Sequence, residues 1–281
     1  MTTTATTPAT SAGAATPQRP SYARQVLALV RRNLIHIKRM PEMLADVTFQ
    51  PIMFVLLFAY VFGGSIQTDG AAYREWLLPG IMAQTIAFSS FIVAVGLTSD
   101  IDKGVVDRFR SLPISRSAVL VARSISSLIH SSLGIVVMAV TGLFIGWRLH
   151  NGFAESALGF ALVLLFGFAM IWIGIFVGSR MRSVEAVNGV MFTTMFPLTF
   201  LADTFAPAKN MPHWLRVIAE WNPISALTQA MRTLWGNGAP ADLDAQWPMH
   251  HPVLASAVWS IAIAAIMAPI AIRAFQKRTE A

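Results

Sequence analysis

The stretch SALGFALVLLFGFAMIWIGIFVGS, residues 156–179, lies between Glu155 and Arg180 and carries no charge. A helix needs about 20 mostly apolar residues to cross the hydrocarbon core of a bilayer, and this stretch is long enough to do so. Five more charge-free gaps occur: between Asp46 and Asp69, Glu75 and Asp100, Arg123 and Arg148, Glu185 and Asp203, and Asp244 and Arg273. Barrel strands would instead show alternating segments of about ten residues. The expected fold class is all-α integral membrane, with six crossings at about 45–66, 77–99, 119–146, 157–179, 184–202 and 253–273.

Composition points the same way. The 281 residues are 55% hydrophobic and 12% charged, against roughly 25% charged in a soluble domain. A soluble chain so poor in charge would expose far more apolar surface than stays in solution. The fifth gap is unusual: residues 186–202 include Pro197, and at 1.5 Å per residue they reach only about 25 Å. That crossing is expected to start inside the protein near Glu185.

An even number of crossings puts both termini on one side, and the Lys/Arg bias names the side. With the N-terminus cytoplasmic, the inner segments hold sixteen Lys and Arg and the outer ones five. The expected location is the cell membrane, multi-pass, with both termini cytoplasmic. The net charge of +7 is thereby accounted for without a nucleic acid partner. With no cysteine in the chain, disulfides, thiolate metal sites and cysteine nucleophiles are excluded.

Around the crossings the chain divides as follows. Residues 1–20, rich in Thr, Ala, Pro and Ser, are expected to be a disordered tail. In 21–42, Ala23, Leu27, Val30, Leu34 and Ile37 recur at helical spacing, with Arg24, Arg31 and Lys38 on another face. That pattern predicts an amphipathic helix in the cytoplasmic interface, closed by Pro41; a short basic linker is the plainer alternative. Residues 43–275 form the transmembrane domain, and 276–281 a cytoplasmic tail. The outer connection 203–250 carries Trp214, Val217, Ile218, Trp221, Ile224, Leu227, Met231, Leu234 and Trp235. Short external helices divided at Pro223, with tryptophans at headgroup level, are expected there.

Catalytic motifs are missing. No G-x-x-x-x-G-K-[ST] loop occurs, so this chain does not hydrolyse ATP by that route. Two D-x-D triplets, Asp100/Asp102 and Asp242/Asp244, match the pattern of a membrane-bound transferase's metal site. The pattern is common by chance, and acids at helix ends ordinarily cap and solvate. His130, the one ionisable group well inside a crossing, suits either a proton relay or a neutral imidazole bonded to a neighbouring helix.

The cytoplasmic segment 100–116, DIDKGVVDRFRSLPISR, puts Val105, Val106, Phe109 and Leu112 on one face of a short helix ended by Pro113. Asp107, Arg108 and Arg110 offer charge to a partner. Such a helix can dock on a soluble protein, and a solvated connector is the alternative from composition.

In that segment, and in FPLTFLADTFAPAKNMPHWLRVIAEWNPISALTQAMRTLWGNG at 196–238, the chain resembles the permeases of the ABC type-2 exporter family, in particular the daunorubicin-resistance type. The resemblance implies that Gly104, Val105, Asp107, Arg108, Phe109, Arg110 and Pro113 belong to a coupling helix seated in a groove of a separate ATPase. It further implies two copies of this chain and two of the ATPase, with ATP and Mg bound by the ATPase and no cofactor here. The helix bearing Arg24, Arg31 and Lys38 would help hold that partner. An amphipathic drug, antibiotic or lipid would be exported between facing first, second and fifth helices, with Ser89, Ser90, Asn188, Phe192 and Thr193 as candidate lining. A secondary transporter or channel, needing no ATPase, is the rival reading.

Overall fold

The computed structural model describes residues 21–62, 73–105, 115–238 and 241–280. Ten α-helices are defined there: α1 (Tyr22–Arg39), α2 (Pro41–Leu57), α3 (Tyr73–Asp102), α4 (Arg116–Ile145), α5 (Phe153–Arg180), α6 (Val184–Phe200), α7 (His213–Trp221), α8 (Pro223–Trp235), α9 (Trp247–His250) and α10 (Pro252–Glu280). No strand occurs among the described residues. Four of the helices, α3, α4, α5 and α10, are long and apolar enough to cross a membrane, and a shorter apolar helix spans Val47–Val61.

The long helices overrun the expected crossings because apolarity sets only the part in hydrocarbon, while the helix continues until a local signal stops it. Gly146, at φ 104°, ends α4 in the left-handed conformation that favours glycine. At the other end of the bundle, α1 stops where Met40 turns extended, and Pro41 opens α2 at its first position, where a missing N–H costs nothing. A π-turn, Phe58–Phe62, follows α2. The short fifth charge-free gap folds as a helix of 17 residues. It does not start inside the protein, however: Ser183 caps it, accepting from Ala186 N at 3.2 Å, and Glu185 is exposed.

Helix α3 is the centre of the bundle, packing most extensively on α5 and also on α4, α6 and α8. Lipid tails are as apolar as leucine, so helices in a membrane associate through close packing rather than hydrophobic burial. Here Gly174 and Gly178 of α5 provide it. A Cβ on Gly174 would strike the Ser90 carbonyl, and one on Gly178 would meet the Ala94 carbonyl at 2.7 Å. The small-xxx-small pair is thus used within the chain. Likewise Gly80 of α3 admits the backbone of Thr204, bringing the chain after α6 against α3.

Helix α1 lies on the start of α4. Its inward face is Val26, Leu29, Val30 and Leu34, against Val119, Ala122 and Ile125. This is rotated from the face expected from spacing: Ala23 is exposed and Leu27 is 69% exposed. Arg24, Arg31 and Lys38 are exposed, as the pattern requires. Asn33, which spacing alone does not assign, donates to Ser126 Oγ at 3.3 Å, and polar pairing with α4 helps set the rotation.

Candidate functional site

The two ends of the bundle carry different chemistry, and each is organised by arginines. At one end α3 finishes with Asp100, Ile101 and Asp102, and Gly104 turns the chain at φ 65°. Asp100 pairs with Arg123 of α4, and Asp102 with Arg278 of α10 at 3.6 Å. Asp242 and Asp244 both reach Arg216, at 3.5 and 2.9 Å. Every D-x-D carboxylate therefore faces a guanidinium, and no group of three metal-ligating side chains occurs among the described residues.

Of the proposed coupling residues, Gly104 and Val105 are half-buried at the end of α3. Asp107, Arg108, Phe109, Arg110 and Pro113 lie outside the described residues. Where the chain resumes, the Ser115 amide donates to Gln25 Oε1 of α1 at 2.9 Å. The start of α4, reached at the far side of that segment, is thus tied to the basic amphipathic helix, and both elements occupy the same end of the bundle.

The other end is closed by α8, a helix buried along most of its length between α3, α5 and α10, with Thr233 exposed. Asn222 caps it, accepting from Ile224 N at 2.9 Å. Trp235 meets Trp147 edge-on, with centroids 5.3 Å apart, and donates to the Ser156 carbonyl at 3.1 Å. Gly159 leaves the room for its ring. The expectation of tryptophans at headgroup level suits Trp214, Trp221 and Trp247, which are exposed, but not Trp235, which is core. Leu227 and Met231 are buried too, because α8 is inserted among the helix ends and does not lie on them.

At the centre of this cap Arg232 is wholly buried. Its guanidinium donates to Asp203 Oδ2 at 2.6 Å and to the Trp76 carbonyl at 3.0 Å, and lies 3.6 Å from the Trp76 ring centroid. Burial pulls Arg232 down to about 10, against the attraction of Asp203, so it stays charged at neutral pH. Burial likewise pushes the Asp203 carboxyl up, opposed by Arg232 and the Ala208 amide. In the charge count Arg232 is one of the five Lys and Arg of the outer segments, with nothing in its spacing to mark it as buried.

The candidate lining residues divide. Ser89 and Ser90 are buried within the bundle, Ser90 donating to the Ala87 carbonyl at 2.8 Å. Ser90 packs against α5 and α6, with Gly174 beside its carbonyl and Met195 Sδ 3.6 Å from its hydroxyl. Asn188, Phe192 and Thr193 sit together on the exposed side of α6. That helix touches α3 through Val187, Met191, Met195 and Thr199 and leaves its other faces open. Along the open side Phe192, Phe196 and Phe200 stack at 5.7 and 4.2 Å, and Phe205 and Phe58 continue the series.

An all-helical bundle with several membrane-length apolar helices, a basic amphipathic helix at one end and an inserted aromatic cap at the other defines a multi-pass membrane protein. Residues 24–234 match the family model described as ABC-2 type transporter, and the chain belongs to that family. It is 30% identical over 220 residues to the daunorubicin resistance ABC transporter permease protein DrrB1 of Streptomyces coeruleorubidus, covering 77% of this chain and 78% of that protein. It is 27% identical over 260 residues to the doxorubicin resistance ABC transporter permease protein DrrB of Mycobacterium tuberculosis, covering 89% and 88%. To the putative transport permease ycf38 of Cyanophora paradoxa it is 24% identical over 222 residues, covering 78% and 76%.

Proposed function

We propose that this chain is the membrane-spanning permease subunit of an ATP-driven exporter, moving an amphipathic drug, antibiotic or lipid out of the cell. The observation that carries this reading, beside the family match, is the arrangement at the Arg123 end. The basic helix α1 and the start of α4, which follows residues 106–114, stand side by side there, joined through Gln25 and Ser115, in a chain with no phosphate-binding loop of its own. That end is cytoplasmic, six crossings place both termini on that side, and α1 lies in the interface against lipid headgroups with Arg24, Arg31 and Lys38 toward water. Two ATPase copies bind ATP and Mg and push on Gly104, Val105, Asp107, Arg108, Phe109, Arg110 and Pro113.

A second copy of this chain completes the pathway. The open side of α6 supports this, because Asn188 and Thr193 are polar groups that hydrocarbon disfavours and that a cargo path or a facing copy accommodates. Phe192 and its stacked neighbours offer ring faces to an amphipathic cargo.

The test is reconstitution in vesicles with an ABC ATPase partner, following ATP-dependent movement of doxorubicin. The variant Asp107→Ala/Arg108→Ala is expected to keep the protein folded and lose most transport. Unchanged ATP-driven transport in it would refute the coupling assignment. Because the chain has no cysteine, single cysteines at Ser111 and Asn210 report topology directly, and labelling of both from one side would overturn the orientation.

A further inference from the structure

Three helices end around one cation at the Arg123 end. Arg278, near the end of α10, donates through Nη1 to the carbonyls of Gly178, at 2.9 Å, and Met181. These belong to the last turn of α5 and the residue that follows it, where carbonyls lack intrahelical partners. Its Nη2 lies 3.6 Å from Asp102, the last residue of α3. Thr98 of α3 donates to the same Gly178 carbonyl at 3.0 Å. The negative ends of the α3 and α5 dipoles therefore converge, with a carboxylate added, and Arg278 is the cation that serves both.

The position matters more than the strength. Asp102 stands two residues before Gly104, where the chain turns toward the segment assigned to the ATPase. The side chains of Arg278 and Asp102 keep 21% and 41% of their surface exposed, and half-exposed pairs add little to stability. Docking of α10 is already provided by apolar contact: Ala271 and Phe275 pack into a cluster with Leu97, Ile171 and Ile175. What Arg278 adds is a direct polar tie from α10 and α5 to the end of α3 that a pushing partner would move.

We propose that Arg278 is a positioning residue for energy coupling, binding Asp102 and the last carbonyls of α5 at once so that α3, α5 and α10 move as one body when the segment after Gly104 is displaced. This rests on the permease reading. A lysine at 278 keeps the charge but offers a compact ammonium in place of a planar fork, and so serves the carboxylate or the carbonyls but not all three. Asp102→Asn removes the charge pairing between Arg278 and α3 and leaves the capping of α5 intact, which separates positioning from plain capping.

The experiment uses the full chain with its partner ATPase in vesicles, measuring ATP hydrolysis and doxorubicin transport together. Arg278→Ala and Asp102→Asn are each expected to lower transport per ATP hydrolysed about tenfold while hydrolysis stays within about twofold, with Arg278→Lys in between. Should Arg278→Ala fail to assemble, Asp102→Asn decides alone. A wild-type ratio of transport to hydrolysis in Asp102→Asn overturns the proposal. Absence of ATP-dependent transport by the wild-type chain is a different result, sinking the permease reading itself.

Discussion

Both ends of this bundle are held by arginine–aspartate pairs, yet the pairs are built for opposite purposes. At one end Arg232 and Asp203 meet out of water, with Trp76 over the guanidinium and Trp235 and Trp147 interlocked beside them. At the other, Arg123 and Asp100 retain 22% and 41% of their side-chain surface. Water reaches both partners in the second case, whereas in the first Arg232 is sealed and Asp203 keeps only 12% of its side-chain surface. A buried pair cannot open without stranding a charge in a low dielectric, whereas a half-exposed pair opens and recloses at small cost. The same chemistry thus makes one end a fixed cap and leaves the other able to rearrange.

Removing Arg232 is the most severe way to break this contrast. Arg232→Ala leaves Asp203 buried and unpaired and is expected to destabilise the chain by about 3–5 kcal/mol, read as a shift in the unfolding transition of the detergent-solubilised protein. A loss comparable to that of an exposed pair would show that the two ends do not differ as described. Gly174→Leu comes next, because the Ser90 carbonyl cannot retreat from a side chain there. Forcing α3 and α5 apart is expected to cost about 1–3 kcal/mol in the same assay, and it touches both ends since both helices run between them.

Arg123→Gln sharpens the contrast from the other side: it is expected to cost no more than about 1 kcal/mol, with any larger loss marking the inner pair as structural. The smallest effect is on pH dependence. The hydrogen bond from Arg216 holds the Asp244 carboxyl below the usual carboxylate range. A carboxyl lowered by folding stabilises the folded chain above its unfolded value and loses that contribution as pH falls through the lower folded value. Unfolding measured across the acid range is expected to show a slight decline there that Asp244→Asn removes.

Much of the fold was legible in the chain because the cost of a charge in hydrocarbon is local to each segment. The charge-free gaps marked α3, α4, α5 and the short α6 within a few residues of their observed bounds and the start of α10, whose end runs seven residues further, and Pro41 and Pro223 fell where helices begin. Faces were harder. Leu27 and Leu29 are equally apolar, and only the fit against Ala122, with Asn33 reaching Ser126, turns Leu29 inward. For the same reason spacing could not separate Ser90, closed in by α5 and α6, from Asn188, left open on α6.

What the sequence by itself determined is the membrane class and the long apolar helices, both of which follow from the hydration of individual residues. Only the tertiary structure decided which arginine is sealed and which bridges helix ends. Arg232 and Arg278 look alike in the chain, and their partners lie 29 residues away at Asp203 and far earlier at Asp102. Whether a guanidinium keeps its water depends on which helices close around it, and that is settled by close approach at positions such as Gly159 and Gly174, not by the neighbours of the arginine in sequence.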